Sequence, residues 1–98
     1  MIRIIYSWKV APENLKLFVE TWKRTTNRIH EVVEGAKGSF MLQSEKEKTE
    51  IKTIAKWDSL DDWKKFWNES KPSQMQSMHD LGERISVEIF KEVDDFTR

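Results

Sequence analysis

The sequence predicts an α+β domain in which one antiparallel sheet of four strands carries its helices on a single face. Four segments alternate apolar and polar residues at the two-residue period of a strand, and three others repeat theirs at helical spacing. Their order is β-α-β-β-α-α-β. The sharpest signal is the run from Lys52 to Trp67, where a strand closes on Trp57 and an aromatic helix opens two residues later.

Residues 2 to 10 read as the first strand. Ile2, Ile4, Tyr6, Trp8 and Val10 point one way, and Arg3, Ile5, Ser7 and Lys9 point the other. Pro12 suits the first turn of a helix and Glu13 its positive end. Leu15, Phe18, Trp22, Ile29 and Val33 step along one helical face, with Thr25 and Thr26 in its middle, until Gly35 supplies the stop. Gly38 to Ser44 is the second strand, with Phe40 and Leu42 alternating against Met41. Glu45-Lys46-Glu47-Lys48 forms a charged hairpin tip, and Thr49 to Trp57 is the third strand.

Ser59 is placed to cap the second helix, and Asp62 stands three residues on, where its carboxylate can reach back to the capping amide. Leu60, Trp63, Phe66 and Trp67 share one face of this helix. Lys71 precedes a proline, which disfavours continued α conformation, so the helix breaks near Pro72. A third helix, roughly Ser73 to Arg84, turns Met75, Met78, Leu81 and Gly82 to one side. Val87 to Val93 is the last strand, followed by a tail that is polar apart from Phe96. This is the split-βαβ, or ferredoxin-like, arrangement with its second helix broken in two. One domain over residues 1–98 is expected.

Seventeen basic residues balance seventeen acidic ones, and the charges are interspersed. No basic footprint for nucleic acid is present. No apolar run is long enough for a signal peptide or a membrane span, so a cytoplasmic protein is expected. The absence of cysteine excludes disulfides and thiolate metal sites, and two histidines make a structural metal a poor fit. A chain this small buries a modest share of its surface, and self-association is the remaining way to add stability. The strands agree. Ile5 stands opposite the apolar set of strand 1, and Val87, Ile89 and Phe90 put apolar groups on both faces of strand 4. A sheet apolar on both sides calls for cover on both, and its helices can supply one. A second copy is the simplest other cover, giving a two-fold homodimer. In that arrangement Ile4, Tyr6 and Trp8 are expected inside the barrel, and Ser7 toward the helices.

Nearly the whole chain, residues 2 to about 96, resembles the antibiotic biosynthesis monooxygenase (ABM) domains of the dimeric α/β-barrel superfamily. The residues that carry the resemblance are the first strand ending Tyr6-Ser7-Trp8-Lys9-Val10, the long helix with Phe18 and Trp22, and the turn Gly35-Ala36-Lys37-Gly38-Ser39. The junction Trp57-Asp58-Ser59-Leu60-Asp61-Asp62-Trp63 is the most specific of them. Where the family often has proline before the first glycine of the turn, this chain has Glu34. The resemblance implies paired sheets forming a barrel, and one small-molecule pocket per subunit between helices and sheet. It further implies a cofactor-independent oxygenase acting on a small aromatic quinol or phenol. The alternatives are a non-catalytic ligand-binding or structural homodimer, and a haem-binding or haem-degrading monooxygenase. No cofactor is expected on the leading reading.

His79 is the candidate catalytic residue. Haem-degrading members of the family place an axial histidine on this helix, and a quinol oxygenase could use the same imidazole as a base. Those members also use an asparagine near the end of strand 1 and a tryptophan on helix 2. The matching positions here are Ser7 and Phe66, with Trp67 one step off. Ser7 has no histidine-acid partner in the sequence and is expected as a polar contact to substrate. Trp22, Trp63, Phe66, Trp67, Met75 and Met78 are the candidate walls of a flat, polarizable pocket. His30 is read as a favourable charge at a helix C-terminus.

Overall fold

A computed structural model of the chain describes residues 1–69 and 71–97, with side chains described outside residues 71–74. Strand β1 (Ile2–Lys9) leads through a short 3-10 turn at Pro12–Asn14 into helix α1 (Leu15–Val32). Strands β2 (Ala36–Gln43) and β3 (Glu50–Trp57) form a hairpin. Helices α2 (Leu60–Glu69) and α3 (Lys71–His79) and strand β4 (Glu83–Lys91) complete the domain. The sheet is antiparallel throughout, in the order β2-β3-β1-β4. This is the predicted ferredoxin-like topology. None of the helices among the described residues is long and apolar enough to cross a membrane.

Two local expectations acquire a physical cause. Ser59 Oγ accepts the N–H of Asp62 at 3.1 Å and so starts α2. The Asp62 side chain lies against Gly35, whose φ is +86°, and a Cβ there would come within 2.6 Å of the Asp62 carboxyl carbon. Gly35 is thus required twice, for its left-handed backbone and for the space taken by the next helix's first turn. Its carbonyl also accepts the N–H of Asp58, which ties the end of α1 to the start of α2.

The third helix is shorter than its sequence suggests. It begins at Lys71 with Pro72 in its first turn, where a missing N–H costs nothing. Helix α2 ends at Glu69, and residue 70 between it and α3 lies outside the described residues. At the other end, Leu81 and Gly82 both return their N–H groups to the Met78 carbonyl, each at 3.1 Å. Gly82 then passes so near β1 that a Cβ would stand 2.9 Å from Val10 Cγ2. The chain from Glu83 onward pairs with β1, setting Arg84 opposite Trp8, so Arg84 is a strand residue and not a helical one.

The facing of β1 is the reverse of the sequence expectation. Ile4, Tyr6, Trp8 and Val10 are 0, 5, 1 and 1 % exposed. They pack with Phe18 of α1, Trp63 and Phe66 of α2, and Met75 and Met78 of α3 as a single core. They are therefore the helix side of the sheet and not a barrel interior. The uncovered side carries Ile5, paired with Ile54, which pairs in turn with Phe40. It also carries Leu42 and Phe90, which with Phe40 are 46 to 49 % exposed. Both faces are apolar, as expected. The side with the larger aromatics goes to the helices, because three helices offer more surface to bury them.

Candidate functional site

Between α1 and the sheet lies a recess floored by Tyr6, Thr53, Ala55 and Trp57 and bounded on α1 by Trp22, Thr25, Thr26 and Ile29. Ala36, Gly38 and Ser39 of β2 form one side, and Phe66, Met75 and Met78 from α2 and α3 form the other. It has about 50 Å³ of room for the centres of water-sized atoms, within an empty space of about 490 Å³ counted out through its mouth. The wall is mostly aromatic, aliphatic and thioether, with hydroxyls set into it.

Those hydroxyls are organised. Trp22 Nε1–H donates to Ser39 Oγ at 2.8 Å, and Thr26 Oγ1 stands 3.5 Å from the same oxygen, which joins α1 to β2 across the recess. Trp8 Nε1–H donates to Oγ1 of the floor residue Thr53 at 3.2 Å. Trp63 Nε1–H donates to Tyr6 Oη at 3.1 Å. At the end of α1, His30 Nδ1 lies 2.8 Å from the Ala36 carbonyl, so its observed role is to tie helix to strand.

Of the pocket walls expected from the sequence, Trp22, Phe66, Met75 and Met78 line the recess, and Trp63 and Trp67 do not. These last two support it. Trp67 stacks on Trp63 with ring centroids 5.2 Å apart and on Tyr6 at 6.1 Å, and the Arg84 guanidinium covers its ring at 4.8 Å. Ser7 is on the opposite side of the sheet, where its Oγ accepts from Lys52 Nζ at 3.0 Å. A contact between Ser7 and a ligand in the recess is excluded by that facing. His79 is exposed at the end of α3 and is absent from the recess wall. Its ring lies 5.4 Å from that of Trp8, and its Nε2 is 3.5 Å from Arg84 Nη1.

Among the wall residues that sequence reasoning missed is Tyr6, which was grouped with apolar neighbours of its strand. Burial pushes its phenol up from 10.0 to about 12, against smaller opposing effects of the Trp63 hydrogen bond and the Arg84 charge. Tyr6 is therefore a neutral phenol at every ordinary pH. The signal that could have found it is general: a tyrosine hydroxyl in a core needs a partner, and five tryptophans offer N–H donors. The wall carries no carboxylate and no imidazole among the described residues, and Lys56 is its other ionisable group. Among those residues no group of three or more His, Cys, Asp or Glu side chains could hold a metal ion. Among the described residues no imidazole lines the recess to serve a haem iron as axial ligand.

The Tyr6 shift carries a stability prediction. The folded value lies above the unfolded one, so folding favours the neutral phenol. Its contribution is complete below pH 10 and is lost as pH rises from 10 through about 12. Full loss corresponds to about 2 to 3 kcal/mol. Urea unfolding of the parent protein should weaken over this interval more steeply than that of Tyr6→Phe. Parallel pH profiles would refute the assignment.

A family model described as antibiotic biosynthesis monooxygenase matches residues 1–79. No curated protein matches the sequence. Among solved structures, a Bordetella bronchiseptica protein described as a candidate antibiotic biosynthesis monooxygenase is 16% identical, with a TM-score of 0.81 over 94% of this chain and 96% of that one. SnoaB, a cofactor-independent oxygenase from Streptomyces nogalater, is 12% identical, with a TM-score of 0.72 over 99% and 97%. A conserved Methanosarcina mazei protein is 13% identical, with a TM-score of 0.73 over 93% and 91%. At these identities the structural likeness establishes the fold, and the family match reaches further.

Proposed function

Because the chain belongs to the antibiotic biosynthesis monooxygenase family, we propose that its recess holds a small aromatic phenol or quinol and oxygenates it with dioxygen alone. The observation that carries this reading is the wall itself: Trp22, Phe66, Met75 and Met78 offer flat, polarizable contact, while hydroxyls supply orientation. A phenolate is electron-rich enough to give an electron to dioxygen, and the resulting radicals combine to form a carbon–oxygen bond. Loss of water from the peroxide leaves a quinone. One oxygen atom enters the product, the other leaves in water, and the substrate supplies all four electrons. The protein's task is to bind the ring, favour its anion and exclude bulk water.

The proposed assembly is a homodimer formed through the uncovered sheet face, with no cofactor. A base role for His79 would require substrate to extend beyond the recess to the end of α3, so His79→Ala is the discriminating control.

The test is oxygen uptake against a panel of quinols and dihydroxynaphthalenes, with Thr26→Phe to fill the recess and circular dichroism to check folding. Uptake by the parent protein should fall at least about ten-fold in Thr26→Phe, the loss expected when a few wall contacts are displaced, and persist in His79→Ala. Uptake lost on removing His79 would restore the base role. Saturable quenching of tryptophan fluorescence with no uptake across the panel would leave a binding protein in place of an enzyme.

A further inference from the structure

One hydroxyl on the recess wall differs from the rest in its acidity: Tyr6 carries a phenol where Thr25, Thr26, Ser39 and Thr53 carry alcohols. Ser39 Oγ is engaged by Trp22 and Thr26, and Thr53 Oγ1 by Trp8. Tyr6 Oη accepts from Trp63 Nε1–H, and a phenol that accepts retains its own O–H as a donor. The Tyr6 ring is fixed between Trp67, stacked at 6.1 Å with 24° between planes, and Trp8 at 6.5 Å. Tyr6 pairs across the sheet with Thr53, and both lie on the wall.

We propose that Tyr6 is a catalytic residue that hydrogen-bonds the ligand's phenolic oxygen and so selects the phenolate, with Trp63 as the positioning residue that holds the Tyr6 oxygen. This rests on the reading of the recess as a phenol site. It also supplies what that site lacks. Among the described residues the wall carries no carboxylate or imidazole, and beside Lys56 it is Tyr6 that can favour the anion by stabilising it. The ligand's proton passes to solvent on binding, and Tyr6 keeps its own. A charge-assisted O–H···O⁻ bond is roughly twice as strong as a neutral one, so it discriminates between the ligand's two protonation states. Burial keeps Tyr6 protonated for this purpose. The positive charge of Arg84, stacked on Trp67, favours the anion in the same sense.

The experiment is a pH titration of 4-nitrophenol, whose phenolate absorbs visible light, bound to the full chain. The bound dye should ionise at a pH at least about one unit below the free dye, a ten-fold or greater preference for phenolate of the size expected for a hydrogen bond to a charged group. Tyr6→Phe should abolish that displacement while the dye still binds. Because Tyr6→Phe strands the buried Trp63 N–H, the double variant Tyr6→Phe/Trp63→Phe, which removes donor and acceptor together, should show the same loss in a better-folded protein. Trp63→Phe alone should lose part of the displacement. A displacement that survives in both Tyr6 variants overturns the role of Tyr6 and leaves the phenol site standing. Failure of the parent protein to bind the dye, by absorbance and by tryptophan quenching, overturns the phenol site and this proposal with it.

Discussion

Trp8→Ala is expected to cost about 3 to 5 kcal/mol, the range for emptying a fully buried tryptophan site. Trp8 is 1 % exposed, meets Phe18 edge to face at 5.2 Å, and donates its indole N–H to Thr53 Oγ1. Truncation opens a cavity among residues of α1, α3 and β1, whose own packing limits collapse into it. It also leaves the Thr53 hydroxyl without its donor. In a domain of this size each kcal/mol moves Tm by about 4 to 8 °C, so a drop of roughly 12 to 40 °C is expected. Calorimetry on parent and variant checks it. A loss under about 1 kcal/mol, or dissociation into stable folded subunits, would return Trp8 to a subunit interface and overturn the facing of β1.

Ile5→Asp is expected to do the opposite, leaving the fold intact and abolishing self-association. Ile5 sits mid-strand on the uncovered face, in a row that runs Phe40, Ile54, Ile5 and Glu88 across the sheet. Phe40, Leu42 and Phe90 on that face are about half exposed in one copy of the chain, an apolar surface that a second copy would cover. A carboxylate at the centre of two facing sheets would lie without a partner and beside its symmetry mate, a cost of several kcal/mol to the dimer. In the isolated subunit the same carboxylate is solvated and costs little. Sedimentation should find a dimer for the parent and a folded monomer for the variant. A monomeric parent would defeat the dimer proposal, and a dimeric Ile5→Asp would move the interface off this face.

These two variants probe opposite faces of one strand, and they mark where reading from sequence stopped. The alternation in residues 2 to 10 identified β1 and both of its apolar sets. It could not say which set the helices cover, because Ile5 and Trp8 are each apolar enough to be buried. The third helix shows the same limit. Its residues to His79 are helical by pattern, but Arg84 joins β4 because β1 offers a ladder from Lys9 upward. A local periodicity carries no information about such a distant edge.

The recess divides in the same way. Trp22, Phe66, Met75 and Met78 were recognisable as wall residues from their helical faces and chemistry. Tyr6 was legible as a strand residue, while its pairing with Trp63, 57 positions away, was not. Ser7 was misplaced by its strand's facing, and His79 by the helix end that turns it toward Trp8 and Arg84.

By itself the sequence determined the elements, their order, the capping serine, the glycine stop and the family resemblance, because each depends on spacing within a few residues. The tertiary structure alone decided the buried face of the sheet, the start of β4 and the membership of the recess. Each of those is set by groups far apart in the chain that meet only when the helices pack on the sheet.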